Sequence, residues 1–323
     1  MKAIVRDTYG PPDVLELRDI DIPELADDEV LVRVHAAGVG RDVWHVMTGL
    51  PYPIRLAGYG FRAPKNPIIG SDMAGEVETI GRKVSRFQPG DEVFGIGKGS
   101  YAEYVCAPED KLAPKPADLT FEQAAVVAIM GSTALQALRD HGKVRPGQEV
   151  LIIGASGGVG TYAVQIAKAF GVHVTGVCST KKVEMVRSIG ADHVIDYTRE
   201  DFAEGDQRYD VILDIGGNSS LARLRRALTP EGTLVIVGGE GGGRWLGGTD
   251  RQLRAMMLSP FVGQKLGAFV NKENHEDMLV LKELIESGNV TPVIDRTYPL
   301  SEVPEAIRYL EEGHARGKVV ITV

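Results

Sequence analysis

The sequence predicts an α/β protein in which a mostly-β region is split around a doubly wound parallel sheet. Short alternating or apolar runs broken by glycine and proline fill residues 1 to about 118. From Thr120 onward, continuous apolar strands alternate with helices, which indicates a parallel sheet covered on both faces. The C-terminal segment leaves that alternation, so we expect it to return to the first region. The mostly-β region is therefore placed at residues 1–121 and 271–323, and the parallel sheet at 122–270.

The first region is typical of antiparallel β structure with irregular loops. Its strands are predicted at Lys2–Val5, Glu29–Val34, Gly75–Ile80, Glu92–Phe94 and Ala102–Cys106. The segment Gly49–Pro67 is rich in proline, glycine and aromatic residues. Because a loop of this length inside a compact domain is more often functional than idle, we expect it to contribute to a site.

The second region begins with a helix at Ala124–Leu138, preceded by a capping-box pattern at Thr120 to Gln123. Strands are predicted at Val150–Ile153, Val172–Val177, His193–Ile195, Val211–Ile215, Leu234–Val237 and Leu266–Val270. Helices are predicted at Val159–Phe170, Lys182–Ile189 and Leu221–Leu228. The tail is predicted to form a helix at His275–Ser287, a strand at Val290–Tyr298, a helix at Leu300–Glu311 and a strand at Lys318–Val323.

Charge and cysteine content narrow the class of partner. The chain has 36 basic and 44 acidic residues, a formal net charge of −8, which disfavours binding to nucleic acid or an anionic membrane. A small-molecule partner is expected instead. The two cysteines, Cys106 and Cys178, do not form a disulfide framework, and the N-terminus lacks the apolar core of a signal peptide. We therefore expect a cytoplasmic protein.

A glycine-rich segment, Gly154–Gly160, directly follows a predicted strand and opens a predicted helix. Glycines allow a sharp turn and let a pyrophosphate approach backbone amides, while the helix N-terminus supplies unpaired N–H groups. We predict that the amides of Gly157, Gly158 and Val159 bind a dinucleotide. The alternative is a tight turn between strand and helix that binds no ligand.

The residues after the second strand of this region indicate which dinucleotide is bound. A site that prefers NAD normally carries an acidic residue there, to accept from the ribose 2′-hydroxyl. Here the strand is followed by Cys178-Ser179-Thr180-Lys181-Lys182, which offers hydroxyl groups and two cations for a 2′-phosphate. We predict NADPH. The alternative is that both lysines are solvated residues at a helix start.

Taken together, several motifs show that the sequence resembles the medium-chain dehydrogenase/reductase superfamily, and within it the zinc-independent quinone-oxidoreductase branch. The motifs are GSDMAGEVETIG (Gly70–Gly81), RFQPGDEVFG (Arg86–Gly95), SYAEYV (Ser100–Val105), GSTALQAL (Gly131–Leu138), VLIIGASGGVG (Val150–Gly160), GADHVIDY (Gly190–Tyr197) and the terminal GKVVITV. The resemblance implies a GroES-like catalytic domain split around a Rossmann domain. It also implies a homodimer.

Zinc-dependent members of the superfamily hold a catalytic metal with cysteine, histidine and cysteine or aspartate ligands. At the corresponding places this chain has Gly40, Gly70-Ser71-Asp72 and Ile129-Met130. A catalytic zinc needs about three protein ligands, so we predict no metal. Without a Lewis acid, the chain is better suited to passing hydride to an already electrophilic acceptor, and the resemblance implies quinones or α,β-unsaturated carbonyls.

The resemblance implies further cofactor contacts. Thr133 is expected near the nicotinamide ribose, and Ser179, Lys182 and Tyr197 near the adenosine phosphate. The strand ends at Gly216, Val237 and Gly238 are expected to line the cleft, because ligands bind at the carboxyl edge of open α/β sheets. The backbone of Phe269 and Val270, at the end of the last strand, is expected to meet the carboxamide.

Three residues are candidates for the chemical step. The zinc-independent branch usually carries GVNPxDW where this chain has Gly38-Val39-Gly40-Arg41-Asp42-Val43-Trp44, so the expected Asn and Asp are absent. Asp42 and His45 lie nearby and are candidates for a proton relay, although a lone histidine beside an apolar helix is more often a structural residue.

Tyr52 is the third candidate, because zinc-independent quinone and enoyl reductases often place a tyrosine shortly after this helix in a GxYP-like context, which Leu50-Pro51-Tyr52-Pro53 resembles. A phenol can donate to a substrate oxygen or protonate an enolate carbon. The alternative is an aromatic residue that packs at the rim of the cleft. Tyr59 and Phe61 are expected to shape the acceptor pocket or pack against another subunit.

Other functions remain open at this point. A zinc-free alcohol or aldehyde reductase would use the same scaffold, and a non-catalytic NADPH-binding sensor or assembly protein would need only the dinucleotide site. A serine or thiol hydrolase has little support, since the sequence has no G-x-S-x-G elbow. The segment Gly241–Pro260 is expected to act as a flexible lid.

Overall fold

The computed structural model describes residues 1–239 and 243–323. Its strands are β1 (Lys2–Val5), β2 (Glu16–Asp19), β3 (Glu29–Val39), β4 (Asp72–Ile80), β5 (Glu92–Ile96), β6 (Tyr104–Pro108), β7 (Leu112–Pro114), β8 (Glu149–Ile153), β9 (His173–Cys178), β10 (His193–Asp196), β11 (Tyr209–Asp214), β12 (Leu228–Ile236), β13 (Lys265–Ala268), β14 (Ile294–Pro299) and β15 (Lys318–Thr322). Its helices are α1 (Arg41–Thr48), α2 (Phe121–Ala124), α3 (Ala128–Gln136), α4 (Gly158–Ala169), α5 (Val183–Ser188), α6 (Leu221–Ala227), α7 (Gly243–Leu246), α8 (Thr249–Leu258), α9 (His275–Glu286) and α10 (Val303–Glu311).

The chain forms two compact units. The first unit contains Met1–Ser132, Glu273–Glu286 and Pro292–Val323, and the second contains Thr133–Lys272 and Ser287–Thr291. The first segment of this unit therefore extends past residue 121, the boundary predicted from the sequence. The boundaries predicted from the sequence stay predictions.

The second unit is built on a parallel sheet in the order β10-β9-β8-β11-β12-β13. Chain order reverses between β8 and β11, so the strands diverge from a switch point at that position. The central strand β8 is buried, with Leu151 and Ile152 fully inaccessible, which explains why its sequence is continuously apolar. The predicted doubly wound fold is confirmed.

The first unit is mostly antiparallel. Its main sheet has the order β14-β15-β3-β4-β5-β7, with β6 also paired to β3, and β1 pairs with β2 in a separate ribbon. The tail strand β15 runs antiparallel to β3, and β14 runs parallel to β15. A core of buried aliphatic residues from β3, α1, α10 and β15 fills the space beneath this sheet.

The predicted helix Ala124–Leu138 is wrong as one continuous element. The capping box exists, since Thr120 Oγ1 accepts from Gln123 N at 3.3 Å and Thr120 N donates to Gln123 Oε1 at 3.0 Å. However, α2 ends at Ala124, α3 begins at Ala128, and a π-helical turn follows it. The interruption contains Val126 and Val127, whose β-branched side chains disfavour helix.

Two other predicted strands are too long. The strand predicted at Leu266–Val270 ends at Ala268, so Phe269 and Val270 follow it rather than end it. The strand predicted to begin at Val290 begins at Ile294, after Pro292, which has no N–H to donate to a sheet.

The two long segments expected to be loops contain helical structure. Gly49–Pro67 contains a π-helical turn at Arg55–Tyr59. Of the expected lid, Gly241 and Gly242 lie outside the described residues, whereas α7 and α8 occupy much of the remainder. In the described parts of the chain, the helices lack the combination of length and apolar character needed to cross a bilayer.

Candidate functional site

In the second unit, the glycine-rich segment forms a close-packed turn between β8 and α4. Gly154 has φ +89°, in the region that favours glycine, and its N–H donates to Val177 O at 3.1 Å. A Cβ on Gly160 would clash with the carbonyl oxygen of Gly154. Glycine is therefore needed at both ends of the turn, once for its dihedral angle and once for its lack of a side chain.

The turn presents the N-terminus of α4 without a side-chain cap. The hydrogen bond from Thr161 N to Gly157 O, at 3.0 Å, begins the helix, so the amides of Gly158 and Val159 precede it. Together with the positive end of the helix dipole, they suit an anion. The predicted donor Gly157 differs from them, because its N–H donates to Gly154 O at 3.1 Å.

The predicted strand ends also lie at the carboxyl edge of this sheet. Gly216, after β11, donates its N–H to Ile153 O at 3.1 Å, which places it beside the glycine turn. Val237 and Gly238, after β12, donate to Asp214 O at 3.0 and 3.2 Å. This edge is the switch point of the sheet, where open α/β folds bind their ligands.

A buried ion pair holds that edge together. Arg251 of α8 donates through Nη1 to Asp214 Oδ2, and through Nη2 to Gly238 O at 3.1 Å. Asp214 also accepts from Gly217 N at 3.1 Å. Burial raises the pKa of the Asp214 carboxyl, and Arg251 opposes that rise. The pair thereby fixes the backbone of two strand ends.

The residues predicted to recognise the 2′-phosphate lie after two adjacent strands, β9 and β10. Ser179 and Lys182 are half-buried, and Tyr197 is 62% exposed. The Thr180 hydroxyl donates to Asp196 Oδ2 at 2.5 Å, and this bond holds the pKa of Asp196 below its usual range. Of the two hydroxyls in this segment, that of Thr180 is therefore engaged with Asp196.

The remaining predicted cofactor residues have separate surroundings. Thr133 is half-buried on α3. The Phe269 ring stacks on His141 with centroids 4.3 Å apart, which fixes the chain as it leaves β13. Val270 is 87% exposed, so its backbone lies at the surface of the second unit.

In the first unit, α1 and the turn after it carry the three candidates for the chemical step. Asp42 lies in the first turn of α1, and His45 lies one turn later. His45 Nδ1 is 2.7 Å from Leu50 O, and because a carbonyl only accepts, Nδ1 carries the hydrogen. His45 thus fixes the turn that leads to Tyr52.

Tyr52 lies in a loop that contacts of Arg55 and Tyr9 hold in place. The Arg55 guanidinium lies 5.1 Å from the Tyr52 ring centroid and 4.4 Å from that of Tyr9. Arg55 Nε donates to Gly49 O at 2.9 Å, and the Tyr9 hydroxyl donates to Gly60 O at 2.7 Å. These contacts order a segment that composition alone describes as a loop. Tyr59 and Phe61 in the same loop are exposed.

Comparison with known proteins shows the family. A family described as an alcohol dehydrogenase GroES-like domain matches residues 26–117, and one described as a zinc-binding dehydrogenase matches residues 189–321. The mitochondrial NAD(P)H oxidoreductase RTN4IP1 of Mus musculus is 35% identical, over 100% of this chain and 89% of that protein. The chain belongs to the medium-chain dehydrogenase/reductase superfamily. As a member of this superfamily, it is an oxidoreductase.

Two further proteins place the chain within the superfamily. The chloroplastic NADPH-dependent alkenal/one oxidoreductase of Arabidopsis thaliana is 34% identical, over 99% of this chain and 79% of that protein. The structure of Escherichia coli quinone oxidoreductase complexed with NADPH superposes with a TM-score of 0.85 and 26% identity, over 100% of both chains. The predicted membership of the quinone oxidoreductase-like branch, and its two-part fold, are confirmed.

The superfamily includes metal-dependent enzymes, so the residues that bear on a metal matter here. Within residues 1–239 and 243–323, no group of three or more His, Cys, Asp or Glu side chains could hold a metal ion. The prediction that this member binds no metal stays a prediction. Burial raises the pKa of both thiols, Cys106 and Cys178, to about 11, so neither is a thiolate near neutral pH.

Sequence reasoning missed two groups of residues that the superfamily fold brings together. The Asp214–Arg251 pair joins a strand end to a helix beyond the next strand, although the segment Asp214-Ile215-Gly216-Gly217 offers a usable signal, an aspartate at the end of an apolar strand. Asp72 and Lys318 lie in different sequence segments of the first unit, yet their side chains pair in its interior.

Proposed function

We propose that this chain is an NADPH-dependent reductase that transfers hydride to a quinone or an α,β-unsaturated carbonyl. The observation that carries the proposal is the uncapped N-terminus of α4 behind the Gly154 turn, at the switch point of the second unit. NADPH is the cofactor that the relatives support, since one is named for it and another was solved with it. Their names also support quinone and alkenone acceptors.

The residues present fit this cofactor. The amides of Gly158 and Val159 would bind the pyrophosphate, and Ser179, Lys182 and Tyr197 would bind the 2′-phosphate. Thr133, Val237, Gly238, Phe269 and Val270 would surround the nicotinamide riboside. When bound, NADPH supplies the hydride, so the protein's task is to orient the reactants and stabilise the charge that develops on the acceptor oxygen.

Tyr52 is our candidate for the group that contacts that oxygen. Its phenol can donate a hydrogen bond to a developing oxyanion, and the contacts of Arg55 hold the loop that carries it. His45 acts in this proposal by holding the turn before Tyr52 rather than by exchanging a proton with substrate.

The proposal is tested by following NADPH absorbance against a panel of quinones, enones, enoyl thioesters and aldehydes. We expect turnover with a quinone or an enone. Turnover of aldehydes alone would select an alcohol or aldehyde reductase, and tight NADPH binding without consumption across the panel would select a non-catalytic sensor.

With the best acceptor of that panel, Tyr52→Phe tests the role of the phenol. We expect kcat/KM to fall about tenfold or more, because one donor to the oxyanion is lost. A loss below about threefold would remove Tyr52 from the chemistry. Tyr104→Phe, in β6, is the matched control.

The predicted homodimer also remains a proposal. Apolar side chains on and after α8 are exposed in the second unit, among them Met256, Met257 and Phe261. Light scattering of the purified protein would show a mass of twice 34.8 kDa if the proposal holds.

A further inference from the structure

Three ionisable side chains from distant parts of the sequence meet inside the first unit. Lys318 on β15 and Asp72 on β4 are each 3% exposed, and Lys318 Nζ lies 3.5 Å from Asp72 Oδ2. Asp42 approaches the same place from the first turn of α1. We call these three residues the charge cluster.

The polar atoms of the charge cluster are unequally satisfied. Asp72 Oδ1 accepts from Ile129 N at 2.8 Å. In contrast, Lys318 Nζ and Asp42 Oδ1 are buried and make no hydrogen bond to any described residue. Buried polar atoms in native proteins are normally hydrogen-bonded, so two such atoms in one place require an explanation.

Gly40 shows how close these two atoms are. A Cβ on Gly40 would clash with Asp42 Oδ1, would lie 2.6 Å from Met130 Cε and would lie 3.3 Å from Lys318 Nζ. Asp42 Oδ1 and Lys318 Nζ therefore lie close to the same point, and a single bridging water could contact both. Because Gly40 has no side chain, the Asp42 carboxylate has room at this position.

The pKa of the Asp72 carboxyl is shifted toward neutral pH by its surroundings. Burial raises the pKa of Asp72 to about 7, Lys318 opposes the rise, and Asp42 adds to it. Tyr101 also faces the cluster, but burial raises its pKa well above the usual range and its hydroxyl donates to Gly38 O at 3.0 Å. Tyr101 therefore keeps its proton, and Asp72 is the member that exchanges one near neutral pH.

We propose that Asp72, Lys318 and Asp42 form a proton relay that supplies the proton consumed in the reduction, with Asp42 at the outer end. Only part of Asp42 is buried, whereas Asp72 and Lys318 are enclosed. Asp42 is thus the member through which a proton can leave or enter. The proposal rests on the proposed function, because a reductase of this kind needs one proton for each hydride.

The proton balance of the step is simple. The acceptor's electrophilic carbon gains a hydride with its electron pair, and the resulting enolate or quinol oxyanion takes up one proton. That proton comes from the enclosed Lys318–Asp72 pair and passes through Asp42 to the oxyanion. A proton from solvent water enters through Asp42 and restores the pair, so no further oxidant or reductant takes part.

The kinetic test compares Lys318→Met, Asp72→Asn and Asp42→Asn with the unsubstituted protein at saturating NADPH. We expect kcat to fall about 10-fold to 100-fold and its solvent deuterium isotope effect to rise, because proton delivery becomes slow. The dissociation constant of NADPH should not change. Lys318→Arg should restore part of kcat, since it keeps a cation and its donors.

Lys115 provides a matched control. Its side chain is 6% exposed and pairs with Glu92 at 3.1 Å, but its Nζ donates to Leu119 O at 2.7 Å. Lys115→Met therefore removes an equally buried lysine outside the charge cluster. We expect it to leave kcat and the isotope effect unchanged, and equal losses in Lys115→Met and Lys318→Met would overturn the relay.

A second readout does not depend on turnover. Infrared spectroscopy of the cofactor-free protein should show a protonated carboxyl band that titrates near pH 7 and is lost in Asp72→Asn. A spectrum without that band would overturn the relay even if the protein reduces quinones. If the protein reduces no acceptor of the panel, the proposed function fails, while the infrared titration still reports whether Asp72 exchanges the proton.

Discussion

The carboxyl edge of the parallel sheet and the charge cluster of the first unit differ in what they are made of. At the sheet edge, Gly154, Gly158 and Val159 act through backbone dihedral angles and amides, and the Asp214–Arg251 ion pair holds neighbouring backbone in place. The charge cluster is formed by side chains from β4, β15 and α1. Substitutions should therefore affect the sheet edge through shape and the charge cluster through charge.

The largest effect is expected where the sheet edge depends on a side chain. Asp214→Ala should lower the free energy of unfolding by about 3–5 kcal/mol, because it leaves the Arg251 charge buried without its partner. Urea unfolding measures this loss. Glu184→Ala, which breaks the exposed pair with Arg187, should cost about 0–1 kcal/mol, and similar losses in both variants would contradict the expected effect of burial on the Asp214–Arg251 pair.

The backbone character of the edge is tested at Gly160. Gly160→Ala should cost about 1–3 kcal/mol of stability and weaken NADPH binding, because its Cβ would clash with Gly154 O. Gly267→Ala is the control, since a Cβ there would meet no heavy atom within 4 Å. Urea unfolding and NADPH titration of both variants measure these effects. Unchanged stability and NADPH affinity in Gly160→Ala would show that the turn tolerates a side chain.

The charge cluster should make stability depend on pH. Because the pKa of Asp72 is raised in the folded state, its contribution is fully present below 3.8 and is lost as pH rises through about 7. We expect the protein to lose about 3 kcal/mol of unfolding free energy from this group between about pH 5 and pH 8.

Asp72→Asn should remove that part of the pH dependence, whereas Asp118→Asn, at an exposed position, should retain it. Urea unfolding at the two pH values compares them. The same pH dependence in Asp72→Asn and in the unsubstituted protein would refute the contribution of Asp72.

A smaller effect tests the choice of cofactor. Ser179→Asp should raise the dissociation constant of NADPH about tenfold by placing a carboxylate beside the 2′-phosphate, and should change that of NADH much less. Ser188→Asp, on α5, is the control for added charge. Equal changes for both cofactors would argue against Ser179 as a phosphate contact.

The smallest effect is expected at His45. His45→Ala should cost about 1 kcal/mol of unfolding free energy, because it removes the hydrogen bond to Leu50 O. Its kcat/KM should stay within about threefold of the unsubstituted value, as should that of His173→Ala at an exposed position. A tenfold loss in His45→Ala alone would return His45 to the chemistry.

The same contrast explains what the sequence could predict. The glycine turn depends on residues close together in the chain, so the turn and its flanking strand and helix can be predicted from the local sequence. The charge cluster joins positions 42, 72 and 318, and no local pattern connects them. Gly157 shows an intermediate case, because its place in the turn was predictable but the hydrogen bond that occupies its N–H was not.

The secondary structure predicted from the sequence is wrong in places for related reasons. The helix predicted at Ala124–Leu138 has the right periodicity, but Val126 and Val127 interrupt it in a fully buried setting. Helical structure after Gly49 depends on contacts of Arg55 and Tyr9, which lie in different segments. Local propensity does not report such contacts.

We infer that the second unit's sheet edge selects NADPH as the cofactor of a reductase. Measuring kcat/KM for NADPH and for NADH with the best quinone or enone acceptor at a fixed concentration tests this selection. We predict that NADPH is favoured by about tenfold or more, because Ser179, Lys182 and Tyr197 would bind its additional phosphate. Equal values for the two cofactors, or a preference for NADH, would show that the sheet edge does not select NADPH.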